Sequence, residues 1–151
     1  MNRVFKTFKL TPVQEKRVKE TNNNFKFLII TEGWCGDASQ IVPVVEKLAN
    51  ALSVETKYVL RDENMGLMEN YKTNGSISIP IIVAVSEEGE ELFTFGPRPA
   101  YGMELLAQFK NNPDIYSSEE FHVDLQVYYK KNKGEDIVHG VLDLIDENVE
   151  N

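Results

Sequence analysis

Cys35 is the only cysteine in the chain, and it stands in the run Trp34-Cys35-Gly36-Asp37-Ala38. A cysteine reacts as its thiolate, so its surroundings decide whether it can do chemistry at neutral pH. On one side of the run, Phe25 to Ile30 is almost wholly apolar, as a buried strand requires. On the other, Ile41, Val44, Val45, Leu48, Ala51 and Leu52 recur at helical spacing. The pattern therefore puts Cys35 where a buried strand turns into a helix running from about Asp37 to Leu52. The first N–H groups of a helix have no internal partner and carry a positive partial charge, and both favour thiolate over thiol. A lone cysteine is more often a buried structural residue, and it is this junction that argues for chemistry. Without a second cysteine there is neither an internal disulfide nor a cysteine-rich zinc site, so the sulfur that Cys35 meets belongs to another molecule.

The flanking segments must hold that junction in place. Thr11-Pro12-Val13-Gln14 carries a Thr cap, a Pro at the first helical position and a Gln at the capping-box position, which predicts a helix to about Glu20. Pro43 falls inside the long helix and is expected to kink it. Thr56 to Leu60 reads as a second strand and Asn64 to Tyr71 as a second helix, with Asn64 as cap and Gly75 as stop. Pro80 to Val85 and Glu91 to Phe95, joined by the acidic turn at Glu87-Glu88-Gly89-Glu90, spell a hairpin. Pro99 begins a further helix to about Lys110. After the break at Asn111-Asn112-Pro113-Asp114, Ser117 and Glu120 form a second capping box. That helix carries Phe121, Leu125, Tyr128 and Tyr129 and stops at Lys133-Gly134, and Ile137, Val141, Leu144 and Ile145 mark a last amphipathic one. Of Tyr128 and Tyr129, one is expected in the core and one on the surface.

With 151 residues, 42% of them hydrophobic and 26% charged, the chain has the size and composition of one soluble globular domain. The formal charge of −8 argues against nucleic acid or an anionic membrane as partner, since both are bound mainly through Lys and Arg. No apolar run is long enough for a signal sequence or a membrane span, and the expectation is a cytoplasmic monomer. His122 and His139 have no cysteine or carboxylate at ligand spacing, so no metal and no cofactor is expected.

The order βαβ followed by ββα, with Trp34-Cys35-Gly36 opening a helix and Pro43 eight residues after the cysteine, resembles the thioredoxin family. Ile79-Pro80 occupies the place where that family has a cis proline facing the thiol, and Gly89 and Gly96 match family positions. The resemblance implies an α/β thioredoxin fold, a mixed central sheet flanked by helices, with a core over about residues 20–112, a helix before it and a helical extension over residues 114–149. Leu60-Arg61-Asp62-Glu63-Asn64, Thr73-Asn74-Gly75, Ser78-Ile79-Pro80 and Gly96-Pro97-Arg98-Pro99 are similar to a bacterial thioredoxin-like subfamily with a Trp-Cys-Gly-Asp-Cys centre.

Three departures from the family pattern bear on function. Ala38 stands in place of the second, resolving cysteine, so a mixed disulfide on Cys35 has no internal thiol to release it. Ile29 replaces a buried Asp that serves the resolving thiol. Asp37 replaces the usual Pro and brings a negative charge next to the nascent thiolate. The resemblance implies Cys35 as nucleophile and Trp34, Gly36, Asp37, Ile79 and Pro80 as the groove that meets a protein disulfide or a low-molecular-weight thiol. Arg98 is a second candidate for stabilising the thiolate, although an exposed ion pair accounts for it equally well, and Ser39 is expected to bond locally to the helix backbone. The competing reading is a non-enzymatic module that holds an extended chain in the same groove by strand-like pairing. An iron-sulfur cluster held as in monothiol glutaredoxins is disfavoured, because their Cys-Gly-Phe-Ser motif is absent.

The charge on Asp37 yields a direct test. One unit of pKa is roughly 1.36 kcal/mol, and an exposed carboxylate near a thiolate is worth about that or less. Asp37→Asn is therefore expected to lower the Cys35 pKa by up to about one unit and to speed alkylation at neutral pH, with the difference shrinking at high salt. Superimposable alkylation titrations at low ionic strength would show that the Asp37 carboxylate does not act on the thiol.

Overall fold

The computed structural model describes residues 7–32, 36–64, 66, 69–71 and 78–149, and for residues 36, 37 and 71 the backbone alone. Helix α1, Pro12–Lys19, opens with both arms of the capping box: Thr11 Oγ1 accepts from the Gln14 N–H at 3.2 Å, and Gln14 Oε1 accepts from the Thr11 N–H at 2.9 Å. Strand β1, Lys26–Thr31, comes next, then helix α2, Gly36–Leu52, with Pro43 inside it, and strand β2, Thr56–Leu60. Strands β3, Ile81–Val85, and β4, Glu91–Phe95, form the expected hairpin, whose turn uses Gly89 at φ 90°. Helices α3, Ala100–Asn111, α4, Ser118–Asn132, and α5, Glu135–Asn148, complete the chain.

The four strands lie in the order β2-β1-β3-β4, with β1 parallel to β2 and antiparallel to β3, and β3 antiparallel to β4. This is the mixed α/β sheet expected of a thioredoxin fold. Strand β1 is hydrogen-bonded on both sides, which is why its sequence is apolar nearly throughout. Alternate side chains divide between two faces. Phe27 and Ile29 of β1 join Ile82 and Ala84 of β3 in the main core. Ile30 joins Ile79, Ile81 and Val83 in a smaller cluster on the other face.

The main core is shared by α2, the sheet and the last two helices: Ile41, Val45 and Leu48 of α2 belong to the same cluster as Phe121 and Leu125 of α4 and Val138, Val141 and Leu142 of α5. The C-terminal helical pair is thus packed onto the core. Its own start is capped by Ser117 and Glu120 as expected. Its turn is made by Lys133 at φ 53° and Gly134 at φ 79°, a left-handed pair that stops α4 and begins α5 at once. Polar ties add to the packing. Tyr128 Oη donates to Asp136 Oδ2 at 2.7 Å, and burial together with that bond raises the phenol's pKa. Arg17 of α1 bonds to His139 Nδ1 at 3.0 Å and pairs with Asp143 and Asp146, binding the first helix to the last. A guanidinium can only donate, so His139 Nδ1 is the acceptor in this contact.

Two details differ from the sequence reading. Arg61–Glu63 and Glu69–Tyr71 form short 3-10 turns, so the end of the expected second helix is 3-10, while Gly66 between them is helical. Asn64 closes the first turn, its Nδ2 donating back to the Leu60 carbonyl at 2.9 Å. The expected stop at Gly75 lies outside the described residues. Leu144 is only half-buried, and Val138 and Leu142 take the core positions beside Val141 and Ile145. No helix of the described residues is long and apolar enough to cross a membrane.

Leu142 is fully buried between α5 and its neighbours. Leu142→Ala is expected to cost about 2–5 kcal/mol, in one urea transition seen alike by Trp34 fluorescence and far-ultraviolet circular dichroism. Two separated transitions would show that the C-terminal helices melt apart from the sheet.

Candidate functional site

Helix α2 begins at Gly36, the residue directly after Cys35. Trp34 and Cys35 themselves lie outside the described residues, and of Asp37 only its place in the first turn of α2 is described. Ala38 is next in that turn, with no exposed surface. The position three residues past the cysteine therefore faces the core and is filled by a methyl group. Ile29, where the family has a buried acid, is also fully buried, paired across the sheet with Tyr58 and Ile82. An ionisable group there would have no water and, with Ala38 in place of a thiol, nothing to deprotonate.

The second part of the site is the entry to β3. The Ile79-Pro80 peptide bond is cis, as the resemblance implied, and both residues are buried. A second cis bond, Gly96-Pro97, lies at the exit of β4, and nothing in the sequence singles it out. The two are in contact. Gly96 has φ 116°, and a Cβ there would run into the carbonyl oxygen of Pro80. Glycine is required twice over, by the backbone angle and by the close approach of the chain.

Other residues near the junction were not evident from the sequence. Glu32, three residues before Cys35, accepts a hydrogen bond from the Asp62 N–H at 2.9 Å and so ties the end of β1 to the turn after β2. The Arg98 guanidinium lies 5.8 Å from the centre of the Phe121 ring, and its stem packs where a Cβ on Gly102 would sit. That placement supports a packing role between α3 and α4, with the positive charge over an aromatic face. His122 Nδ1 contacts the carbonyl of Ser118 at 2.7 Å. Among the described residues no three His, Cys, Asp or Glu side chains are grouped so as to hold a metal ion.

With this geometry in place, the match to known proteins is decisive at the level of family. The thioredoxin family model matches residues 1–110. The chain belongs to the thioredoxin family. No curated protein matches it. Among solved structures it is similar to a protein of unknown function from Pseudomonas aeruginosa, with 17% identity and a TM-score of 0.74 over 97% of this chain and 81% of that one. It is similar in the same degree to an HIV epitope-scaffold, with 18% identity and a TM-score of 0.72 over 98% of this chain and 83% of the other. Both likenesses span the C-terminal helices as well as the sheet and speak for the fold alone. Fasciola hepatica thioredoxin aligns at 28% identity over 54% of this chain and 76% of its own, with a TM-score of 0.40.

The contact between Gly96 and Pro80 gives the prediction for this thioredoxin-family site. Gly96→Ala is expected to destabilise the protein by about 3 kcal/mol, from the positive φ and the clash with the Pro80 carbonyl together. Denaturant unfolding measures it, and a loss below about 1 kcal/mol would show that the two turns can part without consequence.

Proposed function

We propose that this protein is a monothiol member of the thioredoxin family, of the bacterial Trp-Cys-Gly-Asp type, working in the cytoplasm. Cys35 attacks a disulfide, its sulfur forms a mixed disulfide with one half, and the other half leaves as a thiolate. The adduct then waits for an external thiol, which takes its place in the exchange. The observation that carries this reading is Ala38, buried in the first turn of α2 where the family keeps its resolving cysteine. Supporting it are the start of α2 at the residue after Cys35 and the cis Ile79-Pro80 bond at the entry to β3. Trp34, Gly36, Asp37, Ile79 and Pro80 form the surface that meets the disulfide, be it of a protein or of a small thiol. Folded as one domain and monomeric, the protein needs no cofactor for this exchange.

The test is insulin reduction coupled to a thioredoxin reductase system. The unmodified protein is expected to show no catalytic turnover, and Ala38→Cys, which adds one sulfur at a site occupied by a small side chain, is expected to acquire some. Robust turnover by the unmodified protein would contradict the monothiol reading. If neither protein forms a mixed disulfide with insulin, yet both retain an extended peptide in the groove, the module that binds without chemistry is the correct description.

A further inference from the structure

A cavity of about 620 Å3 opens between the chain segment before α1, the first half of α2 and the turn from α4 to α5. Its volume is in the range of small-molecule sites. Phe8, Val44 and Ile137 make an apolar floor, fixed from behind because the α4–α5 turn packs closely on Phe8 and Val44 at Gly134. The segment carrying Phe8 is held down by Lys47, whose Nζ donates to the Phe8 carbonyl at 2.8 Å.

The charge around this floor runs against that of the whole protein. The chain has 24 acidic and 16 basic residues, yet no Asp or Glu is among the described residues that line the cavity, and Lys9, Lys130 and Lys133 all do. The three lysines come from three places in the chain: the segment before α1, the last turn of α4, and its left-handed stop. Among the described residues none of the three ammonium groups pairs with a carboxylate. Ser39 and Gln40 of α2 and Gln126 of α4 add neutral hydrogen-bonding groups between floor and rim. Three like charges converging on one concavity repel one another, and the strength of an anion's attraction there is increased by the low-dielectric walls.

We propose that this cavity binds a small organic anion, with an apolar body on Phe8, Val44 and Ile137 and at least one carboxylate or phosphate among Lys9, Lys130 and Lys133. Ammonium groups act as point charges and accept either kind of headgroup, whereas the apolar floor disfavours a bare inorganic ion. The site is independent of the thiol chemistry proposed for Cys35.

Amide chemical shifts of the 15N-labelled full chain, titrated at low salt with isophthalate, phenyl phosphate and inorganic phosphate, test it. Saturable shifts are expected at Ser39, Gln40, Gln126 and Gly134 with isophthalate or phenyl phosphate, and whichever binds more tightly identifies the headgroup. Inorganic phosphate is expected to bind at least about tenfold more weakly, for want of an apolar body. The combined variant Lys9→Gln, Lys130→Gln, Lys133→Asn, all at exposed positions, is expected to weaken organic-anion binding about tenfold or more with an unchanged melting temperature. Asn is chosen at position 133 because it tolerates the left-handed backbone. Shifts scattered over the surface, no saturation with either organic anion, equal affinity for inorganic phosphate, or undiminished binding by the variant would each overturn the proposal.

Discussion

Helix α2 is held from two sides, and the rest of the structure is arranged around that confinement. The sheet takes one flank and α5 the other, and the run from Ile41 to Val45 is buried at every position, with Val44 at the floor of the cavity. A surface helix needs only one apolar stripe, and one buried all round has to be apolar all round. That is why Pro43, which gives up a helical hydrogen bond to the Ser39 carbonyl, sits here without exposing a polar group of its own. Fixing α2 fixes its first residue, Gly36, and hence the point from which Cys35 departs. The C-terminal helices thus do more than cover apolar surface: α5 is one jaw of the clamp that positions the start of α2.

Much of this was legible in local patterns. Both capping boxes, the strands at 56–60 and 91–95, the glycine of the hairpin turn and the helix stop at Lys133-Gly134 are written in neighbouring residues, and the physics that makes them is equally local. What could not be read is what two distant segments decide together. The need for glycine at 96 comes partly from contact with Pro80, sixteen residues away in sequence. The placement of the Arg98 guanidinium by the Phe121 ring depends on α3 packing on α4. The gathering of Lys9, Lys130 and Lys133 likewise requires the chain's two ends to meet.

At the candidate site, the replacements at positions 29 and 38 are consistent with one another in physical terms. Burying a carboxyl group among Tyr58, Ile82 and the apolar strand neighbours is costly unless it serves a purpose, and removing the second thiol removes the purpose. Ile29 and Ala38 are both fully buried, so the core beneath the junction is apolar at both positions. On the proposed monothiol reading, chemistry at Cys35 rests on the end of one helix and on the molecule that brings the second sulfur.

Intact-mass spectrometry after exposure to glutathione disulfide measures that dependence most directly. A single glutathione adduct on Cys35, persistent after the disulfide is removed, discharged when a free thiol is added and absent from Cys35→Ser, is the expected result. No adduct under conditions that modify an unperturbed cysteine, or an adduct that discharges without added thiol, would contradict the monothiol assignment.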